Sequence, residues 1–443
     1  MNWDALLDGH RLGEPARVGS ESWIRSDFQR DFDRIVFSSA FRRMQGKTQV
    51  FPLPESDFAH TRLTHSIEVS SVARSLGRIA SGKVPELKAR TDDVGALVGA
   101  AALAHDIGNP PFGHSGEDAI ADFFKGKEGA RYLENLSAAQ NEDLLCYEGN
   151  ALGFRIIART KPTTSKRPGG MGLTHATLSA FAKYPRASWP RGDRQKVSEK
   201  KFGFFQSEAA AFETVASATG LRQKGDNAWC RHPLAFLMEA ADDICYRVID
   251  LEDAVRLDLV PLDAGRRHLL SILQLHNESP NLRRLGGIMD RYEQLSYLRA
   301  KAINSLVVQV SDAFVANVDA LMAGEFEIPL LELAPSNAEL EKIRQVMTEF
   351  VYPARSVIAV EAAGFEVLGG LLAEFLRAAW DDGTTKRSEK VLALVSPEYL
   401  ERRNSSDDDY AVIMGLAEFV ASLGDTSAID LFRVLRGIQL PTY

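Results

Sequence analysis

Apolar positions along the chain recur mainly at helical intervals. Leu63, Ile67, Val72, Leu76 and Ile79 fall near one face of a helix beginning around His60, which puts His65 early on an amphipathic helix. From about Val94 to His105 the chain is apolar on nearly every side, the pattern of a buried helix. From Pro233 onward, Leu234, Leu237, Met238, Ala241, Cys245 and Val248 form the stripe of a long helix that starts with proline. YLRAKAINSLVVQVSDAFVANV and FEVLGGLLAEFLRAAW continue the helical pattern, with short polar breaks at Pro335 to Asn337 and Asp381 to Ser388. Only GKTQVFPLP, short and partly β-branched, reads as a turn or brief strand. The pattern predicts an all-α fold, with no repeat and no low-complexity tract beyond Ser405 to Asp409.

Composition narrows the class. The 443 residues suffice for a large core and more than one lobe. A net charge of −8 argues against a protein whose whole surface binds nucleic acid, while leaving room for a local basic surface. Cys146, Cys230 and Cys245 lack CxxC spacing and read as free thiols of a reducing compartment. The first residues show neither a basic nor an apolar leader region, and no run of about 18 apolar residues is present. The expectation is a cytoplasmic protein without a membrane span.

Candidate chemistry concentrates between His60 and Glu117, which holds four of the nine histidines. The buried helix ends in His105 and Asp106, and Gly108, Pro110 and Pro111 stop it there. A lone histidine is commonly a hydrogen-bonded core or cap residue. A His-Asp pair closing an apolar helix is costly to leave unpaired, and with His65 from the neighbouring helix it favours a metal ion. Arg62, three residues before His65, shares its face and could grip a phosphate. Ser115 is a candidate N-cap, and Glu117 falls in the first turn, where the helix dipole alone favours it. His114, on a proline-stiffened loop, is placed to move a proton near neutral pH.

Two further stretches carry charge. From Arg155 to Lys201 basic residues dominate, either as a solvated face or as inner lysines for a polyphosphate and outer ones for nucleic acid. On the helix from Pro233, Asp242 aligns with Glu239, Tyr246 and Asp250 in an acidic stripe bordering the apolar face, which needs a cation. Asp242 is therefore assigned as the fourth ligand, whereas Asp243 can pair with Arg247 one turn on.

HExxH and the Walker A motif are absent. FRRMQGKTQVF, TRLTHSIEVSSVARS, HDIGNPPFGHSGE, YEGNALGFR, KYP, KFGFFQSE and LMEAADDICY, in this order between Phe41 and Tyr246, together resemble the bacterial dGTP triphosphohydrolase family of the HD phosphohydrolase superfamily. The resemblance implies an HD-domain helical core over residues 1–256, including a basic insertion at 155–201, with a helical C-terminal region at 257–443 packing on the core and on partner subunits. It implies His114 as catalytic and Glu117 as its orienting partner. It implies substrate contacts from Gln49, Asn150, Lys183, Lys201, Tyr246 and Asp250 beside Arg62, with Gln49 and Asp250 near the deoxyribose 3′ edge.

The expected reaction is hydrolysis of dGTP, and of other dNTPs, to deoxynucleoside and inorganic triphosphate. One divalent ion per subunit, Mn²⁺ or Mg²⁺, would sit on His65, His105, Asp106 and Asp242. The resemblance further implies a hexamer or other homo-oligomer, with single-stranded DNA as a candidate activator. Asn109 departs from the HDxGH form of the superfamily, so a mechanism needing two histidines in that loop is in doubt. The rival readings are an HD-type nucleoside monophosphate phosphohydrolase and a nucleic-acid-binding regulatory protein with a structural metal site.

Overall fold

The computed structural model describes residues 1–14, 25–49, 60–159, 170–276, 282–381, 384–400 and 409–440. Among them the protein is helical, and its β-structure is a small antiparallel hairpin pairing Gln223–Gly225 with Ala228–Trp229. The brief strand expected in GKTQVFPLP reduces to one bridge between Thr48 and Thr61, and its later residues lie outside the described ones.

Two helices carry the centre. α1, Arg62–Lys83, starts at a capping box in which Thr61 and Thr64 satisfy each other's backbone amides. It packs along α2, Thr91–Ala104, whose last residues from Ala100 to Ala104 are sealed from solvent, as its all-apolar sequence requires. The buried face of α1 matches the expected one only in part: Val72 and Leu76 are buried, but Ile67 is 50% exposed, and His65, Val69, Ala73 and Ala80 complete the inward face. Small residues set that face, because they let α2 approach closely, and a pattern of large apolar side chains does not register them.

α2 gives way to a turn at His105, where Gly108 meets the next wall. That wall is α4, Gly149–Ala158, reached after α3, His114–Lys125. A Cβ on Gly108 would stand 2.6 Å from Gly153 Cα and closer still to the Gly149 carbonyl, so the turn can lie against α4 only as glycine.

α5, Pro233–Arg256, crosses α1 and α2 with the expected stripe from Leu234 to Val248 fully buried. Its start is fixed by His232, whose Nδ1 accepts from the Leu234 amide while Nε2 donates to the Leu6 carbonyl. Further along, α6 (Arg291–Ala316) packs on α5, and α7 (Arg355–Trp380) packs on α3. α8 (Asp409–Ser422) is buried along its length and turns into α9 (Asp425–Leu435).

One hydrophobic cluster runs through both sides of the 256/257 division, joining Leu76, Val98 and Leu237 to Leu298, Leu372 and Val420. Buried ion pairs cross it as well: Arg155 on α4 is held by Glu208 at 2.6 Å and by Glu418 of α8 at 2.9 Å. Among the described residues no single helix is long and apolar enough to cross a membrane, and the three cysteines are free.

Gly108→Ala is expected to lower unfolding stability by about 1–3 kcal/mol in urea titrations, the usual size of an overpacking defect. Gly225→Ala, where an added Cβ meets nothing within 4 Å, serves as the neutral control.

Candidate active site

The turn after α2, the first turn of α1 and the middle of α5 converge. His105 caps α2, and its Nδ1 donates to the Ala102 carbonyl at 2.7 Å, which leaves the Nε2 lone pair pointing away from the helix. That Nε2 is buried with no hydrogen-bond partner, 3.5 Å from Asp106 Oδ1 and 3.4 Å from Asp242 Oδ1. His65 Nε2 stands 3.3 Å from the same Asp242 oxygen, and the two imidazoles meet edge to face at 5.4 Å. Donor atoms of His65, His105 and Asp106 all lie within 4.8 Å of one another. An orphaned imidazole nitrogen facing carboxylate oxygens is a donor set for a divalent cation.

Both carboxylates also carry other partners. Arg62 donates to Asp106 Oδ2 at 2.5 Å, Asn109 donates to Asp106 Oδ1 at 2.6 Å, and Lys183 donates to Asp242 Oδ2 at 2.5 Å. Burial by itself would raise both carboxyls, but His105 and Arg62 hold Asp106, and Lys183 and His105 hold Asp242, below the usual carboxylate range. Burial would likewise discharge Lys183, and Asp242 reverses the shift and raises it.

His114 opens α3. Its N-cap is Gly113, with φ of 66° and no side-chain cap, so the capping role expected of Ser115 is not taken. The His114 ring is 79% exposed, and its Nδ1 meets Glu117 Oε2 at 3.1 Å. Glu117 is itself fixed by the Gly149 amide at 2.9 Å and faces Lys201 at 3.7 Å. Lys201 also donates to Glu148, which accepts from Asn150 as well.

Around these groups lies a cavity of about 510 Å³. Its lining includes Gln49, Arg62, His105, Asp106, His114, Asn150, Lys183, Lys201, Asp242 and Tyr246 from the expected set. His65 lies behind the lining. Asp250 is also outside it, buried with Oδ2 unpartnered and its carboxyl pushed well up by burial and by Asp253. Gln49 Oε1 is buried in the lining with no partner.

Sequence reasoning missed several lining residues. Asp243 faces the cavity rather than pairing on the surface: Arg247 reaches Glu341 at 3.6 Å instead, and burial with Glu239 and Asp242 pushes the Asp243 carboxyl up to about 7. Lys200 lies 5.9 Å from the Tyr184 ring, both in the lining. Tyr352, Val357, Val360 and Glu361 come from the C-terminal half, and the Tyr352 hydroxyl bonds that of Tyr246. Helical periodicity places Val357 to Glu361 on α7 but carries no signal of which wall it meets.

Much of the basic stretch is paired with acids, although Arg191 and Lys196 are themselves exposed. Arg155 is buried among acids, Arg191 pairs with Glu142 and Lys196 with Glu199, while Lys161, Lys166 and Arg167 lie outside the described residues. The acids that pair with it are mostly far away in the chain, so local charge counting does not register them.

The model of the HD domain matches residues 62–157, the span holding α1, α2 and the His105–Asp106 turn. HD domains bind divalent metal ions, and these elements supply the donors for one, so fold and site together define an HD phosphohydrolase. A deoxyguanosinetriphosphate triphosphohydrolase-like protein of Synechocystis sp. is 40% identical over 99% of this chain and 100% of its own length. Proteins of the same name from Pseudomonas aeruginosa and Listeria innocua are 38% and 32% identical, over 100% and 99% of this chain and the whole of their own lengths. The chain belongs to the deoxyguanosinetriphosphate triphosphohydrolase-like family.

The hydrogen bond that His114 donates to Glu117 raises the imidazole above its ordinary value, against the opposing charges of Lys201 and Arg62. The pair therefore stabilises the fold fully below the ordinary value of 6.5, and that contribution is lost as pH rises through the raised one. In Glu117→Gln the His114 ring signals, followed by NMR, are expected to titrate at lower pH than in the wild type.

Proposed function

We propose that the protein hydrolyses dGTP, and other dNTPs less well, to deoxynucleoside and inorganic triphosphate. The observation that carries this reading is the joint lining of one cavity: metal donors and an exposed imidazole share it with Arg62, Lys183, Lys200 and Lys201. Such a set of cations suits a triphosphate, whereas a monophosphate has too few oxygens to engage them all. The names of the full-length relatives support the same substrate class.

His65, His105, Asp106 and Asp242 are the proposed ligands. A divalent ion held there, Mn²⁺ or Mg²⁺, would supply Lewis-acid polarisation of a phosphoryl oxygen. Arg62, Lys183 and Lys201 offset the charge that builds on the phosphates. Water adds at the α-phosphorus as the bond to the 5′ oxygen breaks, and protonated His114 delivers a proton to that oxygen, with Glu117 holding the ring. The proton shed by the attacking water passes to solvent, and His114 takes one back from solvent before the next turnover. Asn150 orients Glu148 beside Lys201. Gln49, with its free amide oxygen, and Tyr246 border the sugar, with Asp250 behind Tyr246 toward the 3′ edge.

Glu361 on α7 supplies the base preference. Guanine offers an N1–H and an exocyclic amine side by side, and a carboxylate accepts from both. The reading includes a homo-oligomer, and Ile358 and Phe365 of α7, 50% and 40% exposed next to this wall, are where its contact would be sought.

Incubation of the purified protein with each dNTP and GTP, in Mn²⁺ and in Mg²⁺, is expected to yield deoxyguanosine and triphosphate. His105→Ala should abolish the yield. Release of single phosphate, or no turnover even with single-stranded DNA present, would overturn the reading.

Glu361→Gln is expected to cut the preference for dGTP over dATP by about 10- to 100-fold, the worth of a hydrogen bond to a charged group. An unchanged ratio of kcat/KM values would remove Glu361 from base recognition.

A further inference from the structure

Three segments far apart in the chain meet behind the cavity wall. They are Lys47 to Gln49, Asn109 to His114, and the junction of α8 with α9. Lys47 Nζ donates to the Asn109 carbonyl at 2.5 Å and to the Ala421 carbonyl at 2.8 Å. Asp425, the first residue of α9 and 1% exposed, joins the same segments from the opposite charge. Its Oδ2 accepts from the Thr48 amide at 3.0 Å and the Thr48 hydroxyl at 2.7 Å, and its Oδ1 accepts from the Phe112 amide at 3.0 Å.

Both gripped residues are neighbours of groups that face substrate. Thr48 precedes Gln49, and Phe112 stands two residues before His114. Phe112 and Gly113 have φ of 64° and 66°, so a bulky residue is held in left-handed backbone directly ahead of α3. That conformation is disfavoured for a side chain of this kind and persists only where the surroundings enforce it. Asp425 holds the Phe112 amide, and Gly364 of α7 makes room for its ring, since a Cβ there would lie 2.9 Å from it. Release of the amide would let the backbone at Phe112 and Gly113 turn, and His114 would turn with it.

We propose that Asp425 is a positioning residue, holding Thr48 and Phe112 so that Gln49 and His114 address one substrate together. A carboxylate suits the task because its two oxygens have lone pairs for all three donors. An amide in its place offers one accepting oxygen and turns donors on the other partner. The effect on turnover rests on the proposed dNTP hydrolysis, whereas the grip on the two loops does not.

Hydrogen–deuterium exchange on the full-length protein, with kcat and KM for dGTP, compares wild type with Asp425→Ala, Asp425→Asn and Thr48→Val. Asp425→Ala is expected to speed exchange at Thr48 and from Phe112 to His114 while α1, α2 and α5 stay protected. Its kcat should fall about 100-fold, the scale of a small misplacement of reacting groups, with a smaller change in KM. Asp425→Asn should fall between it and the wild type. Thr48→Val should lower kcat in the wild-type background and less so in the Asp425→Ala background. Wild-type exchange and kcat in Asp425→Ala overturn the proposal, as does exchange that rises along the whole chain, which would make the residue a general structural one. Wild-type protein that turns over no dNTP removes the proposed reaction instead, and the exchange data then decide the grip by themselves.

Discussion

Asp106 and Asp242 are two carboxylates buried against the same pair of imidazoles, and their repulsion is the constraint that orders the rest of the structure. Each is relieved from the outside by a cation from a different segment, Arg62 from the first turn of α1 and Lys183 from the loop after Phe181. Their inner oxygens are left facing His65 and His105. Because a charge removed from water needs its partner within contact distance, α1, α2, α5 and the Lys183 loop are all committed to one arrangement. Close packing of α1 on α2 and of Gly108 on α4 supplies the rigidity that arrangement needs.

The same charge logic explains why the C-terminal half is built into the site. Arg155 would be an uncompensated buried cation without Glu208 and Glu418, and Glu418 belongs to α8. Lys47 finds a carbonyl on α8, while α7 closes the cavity with Val357, Val360 and Glu361. A cavity lined by several cations needs each of them held apart from the others. Here Lys201 rests between Glu117 and Glu148, and Lys183 rests on Asp242.

Much of this was legible in the sequence where the signal was local. The apolar run of α2 and the proline start of α5 with its stripe marked helices that are present, and the adjacency of His105 and Asp106 at a helix end marked the convergence point. The inward face of α1 was misjudged at Ile67, because close helix approach depends on small residues that an apolar pattern underweights. Asp243 was assigned to Arg247 on i to i+4 spacing, but spacing cannot register that Glu341 competes for the same guanidinium. Tyr352, Glu361 and Asp425 lie hundreds of residues from the His-Asp turn, so only the packed chain could bring them to it.

Asn109 shows how one substitution of residue type divides the labour of the loop. An imidazole at that position could exchange protons, but a side-chain amide cannot titrate in the working range. Asn109 is buried and gives its amide to Asp106 Oδ1, so it fixes a carboxylate that faces His105. That hydrogen bond is indifferent to pH, whereas a histidine there would weaken or strengthen its hold on Asp106 as it gained or lost a proton. The titrating side chain of the loop is then His114, whose ring is exposed and whose affinity for a proton is raised by Glu117. The carboxylate cluster and the titrating imidazole can then be tuned separately, one by buried cations and the other by a partner three residues along its own helix.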